Sequence, residues 1–272
     1  MFHKKKTSKL IISIIFSFDK ENHLQSTKHD IKTICPYNKR EIYDRLLQKI
    51  LMDYQVIKVK ENILEENHQR ADSLRKVLKE KGIYFINVMA SPGSGKTTLL
   101  TNLINRLKNK YNIGVMEADI DGEVDAERIS QNTGVRAVQI HTSGACHLTA
   151  QMVSDAIEQF NVDGLNLLFL ENVGNLVCPA EFDTGSNINI MLLSVPEGDD
   201  KPLKYPLMFE VSNIAVITKI DTAEIFDFNF DRCKENILRR NRQAKIFQVS
   251  ALENKGIEPL AEYIEELIDS NH

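Results

Sequence analysis

Residues 90–97 read Ala-Ser-Pro-Gly-Ser-Gly-Lys-Thr and stand between an apolar run and a helical pattern. Gly93 and Gly95 lack a Cβ atom, so the backbone can curl and point several N–H groups into one concavity. A helix that begins near Thr97 adds the positive end of its dipole, which favours phosphate. Lys96 is expected to reach the β- and γ-phosphates, and the Thr97 hydroxyl to ligate Mg²⁺. The segment predicts a phosphate-binding loop.

This loop departs from the pattern G-x-x-x-x-G-K-[ST] at its first position, where Ala90 replaces glycine. A methyl group is tolerated there if the residue keeps a negative φ. A Gly-Lys-Thr triplet alone could be a simple helix cap, but a strand before it and a helix after it favour nucleotide binding. The predicted nucleotide-binding residues of the loop are Gly93, Ser94, Gly95, Lys96, Thr97 and Thr98.

A second motif indicates which base is bound. Thr218-Lys219-Ile220-Asp221 ends an apolar run and resembles the N-K-x-D guanine reader, with threonine in place of asparagine. Asp221 can accept hydrogen bonds from guanine N1–H and the exocyclic amine together, which adenine cannot offer, and such a site rejects the wrong base by on the order of 10⁴. Ser250-Ala251 is similar to the last guanine-contacting loop of the same superfamily. A solvated turn is the alternative for Lys219 and Asp221 alone.

Carboxylates follow two of the predicted strands and are candidates for organising a metal ion and water. Asp119 and Asp121 come after the second strand. Glu171 ends the fourth strand, where nucleotide hydrolases usually carry a Mg²⁺-organising acid. With Lys96, these three acids are the predicted catalytic residues.

No glutamine stands in an obvious position to orient an attacking water, although Gly174 could contact a γ-phosphate through its N–H. Turnover is therefore expected to be slow, comparable to the roughly 10⁻⁴ s⁻¹ of unassisted small GTPases. Asp125, Glu127 and Arg128 are expected to form an ordinary solvated helix face.

A third group of residues combines sulfur and imidazole. Cys146-His147 and Cys178-Pro179 each follow a predicted strand. They are therefore expected at the edge of the parallel sheet where ligands bind. Two thiolates and an imidazole are a soft donor set, suited to Zn²⁺ or Ni²⁺. Three ligands leave a four-coordinate ion incomplete, so a second subunit, water or substrate must supply the rest. On spacing alone, two small core residues and a surface histidine remain the favoured alternative.

The elements that must position these residues alternate in type after Gly82. Strands are predicted at Ile83–Met89, Ile113–Ala118, Arg136–Ile140, Leu165–Glu171, Asn189–Val195, Ile214–Thr218 and Lys245–Val249, with helices that include Thr97–Lys110, Leu148–Phe160 and Ile257–Ile268. Continuous apolar strands, each followed by a helix, predict a parallel sheet covered on both faces. The fold class is α/β: a P-loop NTPase with a mostly parallel sheet, preceded by an N-terminal helical segment.

The segment before the sheet carries a helical repeat. Ile57, Leu64, Ala71 and Leu78 recur every seven residues, and Leu74 fills the i+3 position. Gly82 is a natural stop, and packing on the following domain is favoured over a coiled coil because about three heptads is marginal. Expected units are a leader at 1–50, a helix at 51–82 and the nucleotide-binding domain at 83–272.

The leader contains lysines at positions 4, 5, 6 and 9 before an apolar run, Leu10–Phe18. The run is about half the roughly 20 residues needed to span a bilayer, and no small-residue cleavage site follows it. A poorly ordered leader, or translated sequence upstream of a start at Met52, is the preferred interpretation.

The amino-acid composition excludes some classes of binding partner and indicates the cellular compartment. Lys+Arg 34 against Asp+Glu 38 gives a net charge of −4, which argues against nucleic acid or an anionic membrane as the main partner. Four scattered cysteines are too few for a disulfide framework in 272 residues. A reducing, cytoplasmic compartment is expected.

Together these segments resemble the hydrogenase nickel-incorporation GTPases (HypB), P-loop GTPases of the SIMIBI class, which dimerises across its nucleotides. The resemblance covers roughly residues 55–272, and SGACHL (143–148) with ENVGNLVCP (171–179) is its most specific part. The other segments that carry it are VKENILEEN (59–67), NVMASPGSGKTTLL (87–100), DAERI (125–129), LSVPEGDDKPLKYP (193–206) and TKID (218–221).

The resemblance implies that Cys146, His147 and Cys178 bind nickel or zinc near a homodimer interface, which reverses the preference drawn from spacing. It also implies that GTP binding and hydrolysis regulate nickel delivery to the large subunit of a [NiFe] hydrogenase, with the small zinc-containing partner HypA. Many members begin with a C-x-x-C-G-C nickel site, and nothing like it precedes Met52. A urease-type nickel-delivery GTPase, which usually has Cys-Pro-His, and a nucleotide-binding storage or sensing protein remain alternatives.

Overall fold

The computed structural model describes residues 59–119 and 124–271. Within them a seven-stranded, all-parallel sheet has the order β3-β2-β4-β1-β5-β6-β7. Its strands are β1 (Tyr84–Ala90), β2 (Ile113–Asp119), β3 (Arg136–His141), β4 (Leu167–Glu171), β5 (Ile188–Ser194), β6 (Ile214–Thr218) and β7 (Lys245–Val249). The predicted leader at 1–50 and the candidate Asp121 lie outside the described residues.

Nine α-helices occur in the described residues. They are α1 (Val59–Glu80), α2 (Lys96–Leu107), α3 (Val124–Thr133), α4 (Ala150–Phe160), α5 (Cys178–Glu181), α6 (Lys201–Lys204), α7 (Pro206–Glu210), α8 (Phe230–Arg240) and α9 (Ile257–Ser270). Short 3₁₀ helices follow β5 at Val195–Glu197 and β6 at Ile220–Thr222. None of the helices in this part of the chain is long and apolar enough to cross a membrane.

The sheet is covered on both faces, which explains why its central strands are mostly apolar. Every residue of β1 is buried. Ile86 and Val88 face the core that α2 and α9 complete, whereas Phe85 packs on the opposite face with α1 and α4. Because neighbouring side chains of a strand point to opposite faces, a strand between two helix layers is apolar at most positions on both faces. The predicted fold class is confirmed.

Several predicted boundaries shift by one to three residues for local reasons. The fourth strand begins at Leu167 rather than Leu165, because the Leu165 N–H closes a turn on the Val162 carbonyl. Helix α4 begins at Ala150 rather than Leu148, because Thr149 caps it and accepts a hydrogen bond from the Met152 N–H.

Helix α1 packs on the sheet through the second half of the stripe that the heptad pattern predicted, whereas Leu64 is half-buried and Ile57 lies outside the described residues. Ala71, Leu74 and Leu78 are buried, and each large side chain of this kind stabilises the fold by about 1.5–3 kcal/mol. Gly82 follows the helix with φ +68°, the left-handed conformation typical of a residue beyond a helix C-terminus. The helical segment therefore contributes to the same hydrophobic core as α4 and the sheet.

Candidate functional site

The loop after β1 is curled by its two glycines. Gly93 has φ +71° and Gly95 has φ +94°, and residues with a Cβ atom adopt this region at a cost of about 1–2 kcal/mol. Ser94 between them is buried, and its hydroxyl donates to the Ser91 carbonyl at 2.8 Å. Helix α2 begins at Lys96, immediately after Gly95. The curled backbone therefore leads directly into a helix N-terminus.

The end of β6 supports this loop from the side. The Thr218 hydroxyl donates to the Ser94 carbonyl at 2.7 Å, and the Lys219 ammonium donates to the Gly93 carbonyl at 2.7 Å. Lys219 adopts φ +58°. The N-K-x-D motif has asparagine at the position of Thr218. Here the threonine side chain makes the contact with the curled loop.

A buried carboxylate lies beside the start of α2. The Thr97 hydroxyl donates to Glu171 Oε1 at 2.9 Å, and Glu171 is 3% exposed. Its other oxygen, Oε2, is buried and has no hydrogen-bond partner among the described residues. Burial raises the pKa of Glu171 to about 7, although Lys96 and the Thr97 hydroxyl favour the charged form. The orphaned oxygen leaves Glu171 able to accept a further ligand.

Glu117 is a second buried acid, which the sequence analysis missed. It pairs in register with Glu171 across β2 and β4, so their backbones are adjacent. Its carboxylate accepts a hydrogen bond from the Gln139 amide. Burial, and then the charge of Glu171, raises the pKa of Glu117 to about 8. A glutamate inside an apolar run is the signal that could have identified it, but the register that pairs it with Glu171 is a tertiary property.

We expect Glu117 to make stability fall as pH rises. An acid with a folded pKa of about 8, raised from 4.5, binds more protons in the folded chain than in the unfolded chain between these values. The stabilisation is complete below pH 4.5 and is lost toward pH 8. Glu117→Gln keeps an acceptor for Gln139 and removes the titration, so we expect an increase of a few kcal/mol in the free energy of unfolding at pH 8, since one pKa unit corresponds to about 1.4 kcal/mol.

The check is urea denaturation of both proteins at several pH values between 5 and 8. The difference between variant and parent should widen with pH. Glu127→Gln, a change on the exposed side of α3, is the matched control and should leave the difference flat. Parallel stability profiles for Glu117→Gln and the parent would contradict the buried-acid interpretation.

A cavity of about 530 Å³ lies between the curled loop and the ends of β2 and β4, within the size range of small-molecule sites. Its lining includes the predicted residues Gly93, Gly95, Lys96, Thr97, Thr98, Asp119, Glu171 and Lys219. Asp125 and Arg128 also line it and pair at 3.5 Å, so the helix face that was expected to be solvated is accessible to solvent and also forms part of the cavity wall. These two residues belong to the first two turns of α3, the next described element after β2, at the end of the sheet where ligands bind.

Gly174 brings the loop after β4 against the curled loop. A Cβ atom on Gly174 would lie 3.0 Å from Pro92 Cγ and 3.1 Å from Pro92 Cα. Both residues line the cavity. The approach is close enough that the loop carrying Gly174 and the curled loop are in direct contact.

Of the predicted base-reading residues, Lys219 lines that cavity, whereas Asp221, Ser250 and Ala251 lie beyond its lining. Asp221 is exposed in the 3₁₀ helix that follows β6. Ser250 is fully buried after β7, where its backbone pairs with Lys255, and the Ala251 carbonyl accepts a hydrogen bond from Asn102 of α2 at 2.8 Å. Since β6 and β7 are neighbours in register, both loops emerge side by side.

The three soft donors converge. Cys146 Sγ lies 3.0 Å from Cys178 Sγ and 3.8 Å from His147 Nδ1, and one donor atom from each residue fits within 4.8 Å of the others. Both sulfurs belong to free cysteines. Packing as unrelated core residues, the alternative left open by their spacing, does not describe this arrangement. We call Cys146, His147 and Cys178 the thiol–imidazole cluster.

Neighbouring side chains contact the ring of His147 and the thiol of Cys146 and shift the pKa of each group. His147 stacks on Phe182 with a centroid distance of 3.8 Å, and burial lowers its pKa, opposed by Glu181. The hydrogen bond with Cys178 raises the pKa of Cys146, and burial adds to it. A neutral imidazole is the form that ligates a metal ion. Cys233, by contrast, is buried in the apolar cluster around α8 and is not one of the converging donors.

Two links join the cluster to the cavity. Asn175, next to Gly174, donates to the Cys146 carbonyl at 3.2 Å and accepts from the Val177 N–H at 2.9 Å. On the other side, the Thr142 N–H donates to the Asp119 carbonyl at 3.1 Å, and the Thr142 hydroxyl donates to the Ala145 carbonyl at 2.7 Å. Each cysteine-bearing segment is therefore continuous with one wall of the cavity.

Residues 84–248 match the family described as CobW/HypB/UreG, nucleotide-binding domain. A curated relative from Helicobacter hepaticus, the hydrogenase/urease maturation factor HypB, is 40% identical over 233 residues, which cover 84% of this chain and 95% of that protein. The chain belongs to the HypB family. The family resemblance predicted from the motifs is thereby confirmed, and the 530 Å³ cavity lies in a nucleotide-binding domain.

Other HypB relatives agree in sequence and structure. The hydrogenase maturation factor HypB of Rhizobium leguminosarum bv. viciae is 42% identical over 210 residues, 77% of this chain and 70% of that protein. The crystal structure of HypB from Helicobacter pylori in complex with nickel superposes with a TM-score of 0.71 at 39% identity, covering 76% of this chain and 96% of that one. HypB from Archaeoglobus fulgidus gives a TM-score of 0.70 at 35% identity, covering 75% and 99%.

Proposed function

We propose that this HypB-family chain is a GTP-binding and GTP-hydrolysing metallochaperone that regulates nickel insertion into [NiFe] hydrogenase during its maturation. The observation that carries the proposal is the convergence of Cys146, His147 and Cys178 within 4.8 Å, on loops continuous with a nucleotide cavity. The metal ion is cargo in this proposal, and the nucleotide controls when it is released.

GTP is the proposed nucleotide. The curled backbone at Gly93, Ser94 and Gly95 would surround the phosphates, and Lys96 would neutralise the β- and γ-phosphate charge. Asp221 would accept the two guanine donors, while Lys219 braces the loop and the segment Ser250-Ala251 closes the base site. Lys219 already bonds Gly93, which supports a base reader coupled to the phosphate loop.

The donors beside the phosphate loop fit Mg²⁺, which prefers oxygen ligands and keeps several waters. The Thr97 hydroxyl and the buried Glu171, with its orphaned Oε2, would hold the ion, and Asp119 at the cavity wall would orient its waters. When bound, Mg²⁺ neutralises charge on the phosphates. The lining contributed by the described residues includes no glutamine, which agrees with slow intrinsic turnover.

Nickel or zinc is the proposed cargo of the thiol–imidazole cluster. Two thiolates and a neutral imidazole supply three soft ligands, and a four-coordinate ion needs one more. We propose that a second copy of the chain, in a nucleotide- and metal-dependent homodimer, completes the coordination. The relative from Helicobacter pylori solved with nickel supports Ni²⁺ as a cargo.

Coupling between the two sites follows from the two links described above. Glu171 and Cys178 lie at opposite ends of one short loop, and Asp119 and Cys146 are joined through Thr142. If nucleotide hydrolysis changes the positions of Glu171 or Asp119, it changes the geometry of the cluster. By reciprocity the metal must then alter nucleotide affinity.

The proposed partners are the small zinc-containing chaperone HypA and the hydrogenase large subunit, and the proposed compartment is the reducing cytoplasm, which keeps the two free thiols unbridged. Urease is a second candidate recipient of the nickel, because relatives from Helicobacter hepaticus and Helicobacter pylori are named hydrogenase/urease maturation factors.

Phosphate release from GTP by the purified chain tests the enzymatic part of the proposal. We expect slow release that Lys96→Ala lowers by about 10²- to 10³-fold, the usual cost of removing one charge-stabilising group. Lys76→Ala, on the exposed side of α1, is the matched control and should hydrolyse GTP at the parent rate. A parent chain that binds GTP without releasing phosphate would instead support a storage or sensing protein.

A further inference from the structure

Asn67 of α1 is a buried polar residue that the proposed function leaves unexplained. It is 4% exposed and lies at the end of the segment VKENILEEN. Its Nδ2 donates to the Asp183 carbonyl at 2.8 Å, and its Oδ1 accepts from the Ala150 N–H at 2.8 Å. One side-chain amide therefore bridges two segments that are distant from it in sequence.

Both bridged segments carry members of the thiol–imidazole cluster. Ala150 follows Cys146 by four residues, and Asp183 follows Cys178 by five. Ala150 is the first residue of α4, so its N–H has no acceptor inside the helix and, being buried, needs one elsewhere. Asn67 provides that acceptor, and the amide nitrogen of the same side chain holds the segment after α5.

Arg75, two turns further along α1, strengthens one side of the bridge. Its guanidinium pairs with both carboxylate oxygens of Asp183 and donates to the Ser186 carbonyl at 3.0 Å. The segment after Cys178 is thus bonded to two residues of α1, Asn67 and Arg75. The segment that bears Cys146 and His147 is bonded to the helix at Ala150, through Asn67, and at Gln151, through the exposed Arg70 guanidinium.

We propose that Asn67 is a positioning residue for the thiol–imidazole cluster: its amide sets the separation of Cys146 from Cys178 by tying both segments to helix α1. Asn67 contacts none of the three donors and acts only through the backbone at Ala150 and Asp183. The biological meaning of the role rests on the proposed function, but the geometry can be tested without any metal ion.

The test uses the 3.0 Å separation of the two sulfurs. Diamide oxidises two thiols to a disulfide, taking up two electrons and two protons, and the intramolecular rate depends on how well the sulfurs are held together. In the full-length chain, at low protein concentration and in nickel-free buffer, we expect Asn67→Ala to slow formation of the Cys146–Cys178 disulfide about tenfold. Peptide mapping by mass spectrometry identifies the bond formed.

Two further variants make the result specific. Gln69→Ala removes an exposed amide from the same helix and should oxidise at the parent rate. Asn67→Asp keeps the acceptor for Ala150 but cannot donate to Asp183, so it should slow oxidation like Asn67→Ala and serves if that variant fails to fold. In nickel-free buffer, GTP affinity should stay at the parent value, because Asn67 does not line the nucleotide cavity and no metal ion is present to couple the two sites.

Nickel titration supplies the second readout. We expect the folded Asn67 variants to lose about 10- to 100-fold in Ni²⁺ affinity, the usual effect of changing a group that orients ligands, with an altered thiolate-to-nickel absorption band. Oxidation rates within twofold of the parent, or a loss of GTP affinity that parallels the slower oxidation, would overturn the positioning role. If the parent chain itself bound no nickel, the proposed function would fail, and the oxidation rates would still decide the role of Asn67.

Discussion

Replacing Asp221 with asparagine is expected to move the base preference of this chain from guanine to xanthine nucleotides. The carboxylate accepts from two guanine donors, whereas an asparagine amide can donate to the carbonyl that xanthine carries in place of the guanine amine. Sites that read a base by such hydrogen bonds discriminate by on the order of 10⁴. We expect a change of this size in the ratio of GTP to XTP affinity, measured by competition against a fluorescent nucleotide.

The surroundings of Asp221 make this a clean substitution. The residue is exposed, and the loop that carries it is fixed by the bonds of Thr218 and Lys219 to the phosphate loop, so the variant should fold normally. Asp227→Asn, an exposed aspartate six residues along, is the matched control and should leave the ratio unchanged. An unaltered ratio in Asp221→Asn would show that another residue reads the base.

Removing either sulfur of the cluster should have the second large effect. We expect Cys146→Ser and Cys178→Ser each to weaken Ni²⁺ binding at least about 100-fold, since loss of a ligand exceeds the 10- to 100-fold cost of disturbing a group that only orients one. The dependence of GTP and GDP affinity on Ni²⁺ should disappear in the same variants. Calorimetric titration of metal and nucleotide, each with and without the other, measures both effects.

Cys233→Ala is the control for these substitutions. Cys233 is buried on α8 and is not one of the three converging donors, and burial raises its pKa to about 12. Its loss should leave Ni²⁺ affinity at the parent value. Nickel binding that survives in both Cys146→Ser and Cys178→Ser would mean that the metal is held elsewhere in the chain. If Ni²⁺ did not change the nucleotide affinity of the parent protein, the proposed coupling between the two sites would be wrong.

Local sequence chemistry was sufficient for the elements and for most of the cavity lining. Strand and helix types follow from hydrophobic periodicity, which depends only on neighbouring residues, and Gly93, Gly95 and Lys96 form a curled loop for reasons internal to that loop. The same holds for the heptad stripe of α1, whose residues Ala71, Leu74 and Leu78 are buried as the spacing predicted. Asp125 and Arg128 were not predicted as cavity residues, because their sequence pattern is that of any exposed helix face.

What the sequence by itself determined is the parallel sheet and the glycine-rich loop at Ala90–Thr97. For Cys146, His147 and Cys178, spacing alone favoured ordinary packing, and only the resemblance to HypB implied a shared metal site. What only the tertiary structure decided is which distant residues meet: the 3.0 Å approach of Cys146 to Cys178, the pairing of Glu117 with Glu171, and the bridge from Asn67 to Ala150 and Asp183. The reason is physical. Periodicity and turn chemistry are short-range properties, whereas these contacts depend on strand order and register, which all the elements fix together as they pack.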